Sequence, residues 1–119
     1  MRILIVDDSK AMRMIVARTL RQSGFGGATI EEAGTGAEAL RLITASEPDL
    51  VLCDWNMPEM NGLELLKTLR SQGSKVKFGF VTSEASAEMK ETALAHGAQF
   101  LITKPFTPQA FEQTLKPLL

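Results

Sequence analysis

The 119-residue sequence predicts an α/β fold, a five-stranded parallel sheet doubly wound with helices on both faces. Short apolar runs alternate with stretches of helical spacing, and strict alternation of strand and helix implies right-handed crossovers and parallel strands. Two of the runs, Ile3-Leu4-Ile5-Val6 and Leu50-Val51-Leu52-Cys53, are apolar at every position, as expected of strands buried on both sides.

The first strand covers Arg2–Val6 and stops at Asp7-Asp8; Met12, Ile15, Val16 and Leu20 then mark the buried face of a helix that should end at Gly24. Thr29–Glu31 is a second strand, which the polar pair Glu31-Glu32 assigns to an edge of the sheet. Thr35 followed by Glu38 is a capping-box pattern, opening a helix through Ala39, Leu40 and Ile43. The third strand, Asp49–Cys53, runs into Asp54, and Leu65, Leu66 and Leu69 define the next helix, closed by Gly73. Val76–Val81 is the fourth strand, ending at Thr82. The helix after it rests on Ala93 and Leu94 before Gly97, while Glu84, Glu88, Lys90 and Glu91 leave it polar and expected to be mobile. Gln99–Ile102 is the fifth strand, reaching Lys104-Pro105. The last helix opens on Thr107-Pro108, a cap residue before a proline at the first helical position, and carries Phe111, Leu115 and Leu118.

Apolar residues make up 45% of the chain and charged residues 23%, ordinary proportions for a domain with a real core, and residues 1–119 are expected to form one domain. A net charge of -1 offers no general field for nucleic acid or anionic lipid. Cys53 is the sole cysteine and His96 the sole histidine, which excludes an internal disulfide and a zinc site of ordinary composition. With no signal-like opening and no apolar span, the expectation is a cytoplasmic monomer that engages neither membrane nor nucleic acid directly.

In an open parallel sheet, ligands bind beyond the carboxyl ends of the strands where the winding reverses. Asp7, Asp8, Asp54, Thr82 and Lys104 all fall at such ends. Crowded carboxylates repel one another and recruit a cation. Oxygen-only ligands favour a hard ion such as Mg2+, which takes one or two carboxylates together with phosphate oxygens. Lys104 would add a point charge and Thr82 a hydroxyl for a phosphoryl group, and an aspartate can itself accept phosphoryl as a nucleophile. A lone acid pair more often caps a helix, a role open to Asp8 or Ser9; it is the addition of Asp54, Thr82 and Lys104 that argues for a site.

Val6-Asp7-Asp8-Ser9, Asp54-Trp55-Asn56-Met57-Pro58, Asn61-Gly62, Val81-Thr82 and Lys104-Pro105-Phe106-Thr107 together resemble the receiver domains of two-component response regulators, particularly the freestanding chemotaxis regulators. The resemblance spans nearly the whole chain and implies a flavodoxin-like strand order, 2-1-3-4-5. It implies that Asp54 is the phosphoacceptor and that Asp7, Asp8, Asp54 and the backbone carbonyl of Asn56 hold Mg2+. Thr82 would bind the phosphoryl group and Lys104 pair with it, across a cis Lys104-Pro105 bond. Asn56 and Glu84, two residues past the acceptor and past the threonine, would adjust how fast the aspartyl phosphate hydrolyses. On the residues alone, turn and solvated roles serve these two equally well.

The implied partners are a histidine kinase or histidine phosphotransfer protein as donor, and an effector protein docking on the fourth helix, fifth strand and fifth helix. The chain would be a signalling module that catalyses its own phosphorylation and dephosphorylation rather than an enzyme in the usual sense. One position departs from the pattern. Where the family usually has Tyr or Phe three residues before the lysine, this chain has Leu101, and Phe100 should face the opposite side of the sheet. The switch from Thr82 then runs either through a smaller Leu101 rotamer change or through the loop after Thr82 and the fourth helix.

The alternative reading is a small Mg2+-dependent phosphohydrolase, but that chemistry would call for a second acid where Asn56 stands and for a substrate-gripping cap. Cys53 reads as a core residue, Trp55 as a partly exposed loop residue, and His96 as a solvated helix end favoured by the dipole. Met12, Met14, Met57, Met60 and Met89 read as core fillers, with Met12 and Met14 also placed to flank the pocket. Lys10, Arg13, Arg18 and Arg21 form either a solvated basic face or a docking surface for the phosphodonor.

Overall fold

A computed structural model describes all of residues 1–119. The strands are β1 (Arg2–Val6), β2 (Thr29–Ala33), β3 (Leu50–Cys53), β4 (Lys77–Thr82) and β5 (Phe100–Thr103). They form one parallel sheet in the order β2-β1-β3-β4-β5, with β2 at an edge as its polar residues require. Between and after them lie α1 (Lys10–Leu20), α2 (Gly36–Ala45), α3 (Gly62–Ser71), α4 (Ala87–Ala95) and α5 (Pro108–Leu115).

Period-two alternation divides the buried residues between two faces. Leu4, Val6, Val51, Cys53, Phe78 and Phe80 point toward Ala39 and Ile43 of α2, Leu65, Leu66 and Leu69 of α3, and Ala93 of α4. Ile3, Ile5, Leu50, Leu52, Val81, Phe100 and Ile102 point the other way, onto Val16, Ala17 and Leu20 of α1 and Phe111 and Leu115 of α5. Every residue of β3 is buried, which is the physical content of its uninterrupted apolar run. In α4 only Ala93 is buried, so this helix is held to the sheet by far less apolar area than its neighbours.

Helix ends follow local chemistry, with three corrections. Ser9, Thr35, Asn61, Ser86 and Thr107 each accept a hydrogen bond from an amide of the first turn. The complete capping box lies at Asn61 and Glu64, not at Thr35 and Glu38. Glu64 N donates to Asn61 Oδ1 at 2.8 Å and Asn61 N to Glu64 Oε1 at 3.1 Å, whereas at α2 only the Glu38 N to Thr35 Oγ1 bond forms. The first helix ends earlier than expected as an α-helix: Arg21–Phe25 is a π turn that carries the chain to Gly24, at φ +96. Gly73 (φ +86) and Gly97 (φ +91) end α3 and α4 in the left-handed conformation that glycine adopts without penalty. Leu118 lies outside α5, in a 3-10 turn over Lys116–Leu118, because Pro117 has no N–H to continue the α ladder.

One mid-strand glycine is set by a tertiary contact. The ring of Phe100 lies across Gly79 on β4, where a Cβ would sit 2.1 Å from the ring. No side chain fits between β4 and that ring.

Candidate functional site

Strand register assembles the site. Val6 pairs with Cys53, so Asp7 and Asp54 leave adjacent strands at the same level, and Asp54 N donates to Val6 O at 2.9 Å. On the other side of β3, Thr82 pairs with Thr103 and Lys104 N donates to Thr82 O at 2.8 Å, which carries Lys104 to the same edge. Residues 97 positions apart thus meet: Lys104 Nζ stands 3.3 Å from Asp7 Oδ2 and 3.7 Å from Asp54 Oδ1.

Asp7, Asp8 and Asp54 each offer a carboxylate oxygen to one cluster, all within 4.8 Å of one another. Asp7 is buried, with Oδ1 accepting from Ser9 N at 2.9 Å, while Asp8 is exposed at the mouth. Ser9, not Asp8, caps α1. Burial pushes the Asp54 carboxyl above its usual pKa, as does the neighbouring Asp7 charge, against the opposing pull of Lys104 and of the Trp55 and Asn56 amides. Three carboxylates facing one ammonium form an oxygen-only donor set with excess negative charge, and that suits a hard divalent cation.

Thr82 is fully buried at the end of β4, and its hydroxyl accepts one long hydrogen bond, 3.4 Å from Glu84 N. Asn56 and the Glu84 side chain are exposed on the β3–α3 and β4–α4 loops flanking the acid cluster. Leu101 is partly buried on the Phe80 side of the sheet and Phe100 on the other, so Phe100 does not substitute for a switch residue at position 101. The Lys104-Pro105 bond is cis.

Two groups pin the acceptor loop. Trp55, partly exposed as expected, lays its ring against Phe80 with centroids 4.6 Å apart. Gly62, at the start of α3, donates its N–H to Trp55 O at 2.9 Å and comes so near Asp54 that a Cβ there would lie 2.3 Å from the Asp54 carbonyl oxygen. The sequence shows Asn61-Gly62 as a turn-like pair; its role in seating Asp54 depends on a contact between elements and has no local signal.

Other residues fall as follows. Cys53 is buried in the core, its thiol pushed well up by burial and by the Asp54 and Asp7 charges, and so is not reactive. His96 ends α4 with Nδ1 2.8 Å from Thr92 O. Met57 is a core filler, but Met14 is 60% exposed on the outer side of α1 and fills no core. Met12, Ile15, Lys104, Pro105 and Phe106 line an apolar groove of about 330 Å³ beside the acid cluster. Lys10, Arg18 and Arg21 are exposed; Arg13 departs from that face and tucks inward, its side chain 17% exposed.

A family model described as response regulator receiver domain matches residues 3–116. The chain is 43% identical to the chemotaxis protein CheY homolog of Campylobacter jejuni over 122 aligned positions, covering all of this chain and 92% of that protein. It is 38% identical to chemotaxis protein CheY1 of Helicobacter pylori, covering all of this chain and 97% of that one. Among solved structures, chemotaxis protein CheY4 of Vibrio cholerae superposes with a TM-score of 0.87 at 35% identity, over 99% of this chain and 98% of that one. No helix is long and apolar enough to cross a membrane.

Proposed function

Because this chain belongs to the response regulator receiver domain family, we propose that it is a phosphorylation-controlled signalling domain whose acceptor is Asp54. The observation that carries the reading is that Asp54 shares one cluster with the acids Asp7 and Asp8 and stands 3.7 Å from the ammonium of Lys104. A carboxylate oxygen of Asp54 attacks the phosphorus of a phosphohistidine on a kinase or phosphotransfer protein. The O–P bond forms as the N–P bond breaks, and the imidazole leaves with the electron pair. Water later attacks the same phosphorus; the Asp54 O–P bond breaks as the new O–P bond forms, inorganic phosphate leaves, and the Asp54 carboxylate is restored.

Asp7, Asp8 and Asp54, with the backbone carbonyl of Asn56, would hold Mg2+, which supplies positive charge between two anionic reactants. Lys104, whose ammonium stands 3.7 Å from Asp54 Oδ1, would neutralise a phosphoryl oxygen. It also favours the anionic, nucleophilic form of Asp54 against the effect of burial. Thr82 donates its hydroxyl to another phosphoryl oxygen; as that group is fully buried, it must turn or move to do so. Asn56 and Glu84, exposed at the rim, limit or admit the hydrolytic water and so set the lifetime of the phosphoryl group.

The output face is α4–β5–α5. With only Ala93 of α4 buried, that helix is the element most easily displaced when Thr82 and its loop move. The names of the relatives favour chemotaxis as the setting, a cytoplasmic one in which a monomer docks on an effector protein. Incubation with radiolabelled acetyl phosphate and Mg2+ tests the reading. Label should appear transiently on the wild type, and be absent from Asp54→Asn and from EDTA-treated protein. Turnover of unrelated phosphoesters without a labelled intermediate would overturn it in favour of a phosphohydrolase.

A further inference from the structure

We infer that Arg13 is a positioning residue for the acid cluster: it holds the backbone at Asp7 and thereby sets where the Asp7 and Asp8 carboxylates stand toward a divalent cation. The inference rests on the reading of that cluster as a Mg2+ site. Arg13 belongs to α1, yet its side chain folds back under the first turn of the helix and links two other elements. Nη1 donates to the carbonyl oxygen of Asp7 at 2.7 Å, and Nε to Glu32 Oε1, on edge strand β2, at 2.9 Å.

The Asp7 carbonyl is the point that needs holding. β1 ends at Val6, whose carbonyl is taken by Asp54 N, and Asp7 N is given to Ala33 O. The Asp7 carbonyl is therefore the first acceptor past the ladder, at the corner where the chain leaves the sheet to present two acids in succession. A guanidinium is planar and presents its donors in a fixed fork, so gripping Glu32 with one edge determines where the other edge meets Asp7. Groups that orient metal ligands in this way typically carry about a tenfold or larger share of metal affinity.

The sign of the effect separates positioning from charge. A cation beside an acid cluster repels a metal ion, so if Arg13 acted only through its charge, removing it would tighten Mg2+ binding. If it positions Asp7 and Asp8, removing it weakens binding. Mg2+ titrations of wild type, Arg13→Met and Arg13→Lys, followed by calorimetry and by Trp55 fluorescence, decide between the two, with urea unfolding run on each variant. The expected result is a Kd raised on the order of 10-fold in Arg13→Met. A smaller rise is expected in Arg13→Lys, which keeps the charge but has no fork to span Asp7 and Glu32. Unchanged or tighter Mg2+ binding in Arg13→Met would overturn the inference, as would a loss of stability with an unaltered Kd. Should Arg13→Met fail to fold, a wild-type Kd in Arg13→Lys overturns it and a raised one supports it. A wild type that binds no Mg2+ would instead remove the premise, the metal-site reading, and the inference with it.

Discussion

Replacing Gly62 by alanine should damage stability and chemistry together, because one atom meets the acceptor's own backbone. The new Cβ would lie 2.3 Å from the Asp54 carbonyl oxygen and 2.8 Å from the Phe80 ring, where real Cβ contacts stay above 3.0 Å. Backbone at Asp54, or the start of α3, must therefore retreat by at least 0.7 Å, the difference between 3.0 and 2.3 Å. Retreat is resisted by the Gly62 N to Trp55 O hydrogen bond at 2.9 Å and by Trp55 packed on Phe80. Overpacking of this kind costs about 1–3 kcal/mol. Alanine's better helix propensity returns at most about 1 kcal/mol. With the full offset the net loss is up to about 2 kcal/mol, which lowers the Tm of a domain of this size by up to about 8 °C.

The same displacement acts on Asp54. Misplacing a reacting group by ~1 Å costs on the order of 100-fold in rate, so acetyl phosphate labelling of Gly62→Ala should slow by roughly 10- to 100-fold. Gly73→Ala is the control. It sits at the other end of α3 at φ +86 with nothing within 4 Å of its Cβ, so it carries backbone strain alone. That strain costs about 1–2 kcal/mol and should leave labelling unchanged. If Gly62→Ala labelled at the wild-type rate, as Gly73→Ala should, the proposed seating of Asp54 would be wrong.

Asp54→Asn should be more stable than wild type at pH 7 in EDTA, because the fold holds the Asp54 carboxyl above its usual pKa and so disfavours the anion. The contribution of a carboxyl with a raised pKa is fullest in acid and lost as pH rises through its folded value, each unit of elevation being about 1.4 kcal/mol. The advantage of the Asp54→Asn variant measured by urea unfolding should thus shrink as pH falls toward about 4, and an advantage that grew in acid would contradict the assignment. Mg2+ at 100 times its Kd should stabilise the wild type by about 2.7 kcal/mol, roughly 10 °C in Tm, an effect that an equal ionic strength of Na+ does not reproduce. Lys104→Met leaves Asp7 and Asp54 without their ammonium. The metal-free protein should lose about 1–3 kcal/mol while Mg2+ binding tightens and labelling fails; unaltered Mg2+ affinity would argue against coupling between the two cations. Crystals with and without beryllofluoride should differ in the Leu101 rotamer or over residues 83–91, and identity at both would leave neither route from Thr82 to the surface.

What the sequence determined by itself is local or periodic. Alternation of period two with helical spacing is written along the chain because each strand and helix must bury one face, and the all-apolar runs at Ile3–Val6 and Leu50–Cys53 reveal which strands are central. Left-handed helix ends were legible at Gly24, Gly73 and Gly97, since few other residues adopt that backbone cheaply. The acids and the lysine were legible as a site because polar residues that stop apolar strands on one sheet share one edge.

Tertiary structure decided the rest, where the deciding partner lies outside the element itself. The reason for Gly79 is the ring of Phe100, and the reason for Gly62 is the carbonyl of Asp54. Of the basic residues on α1 and the π turn after it, it left Lys10, Arg18 and Arg21 in water and drew Arg13 under the corner at Asp7. Periodicity encodes which side of an element is buried; which atom a side chain meets there depends on how two elements pack, and the pattern within one element does not contain that.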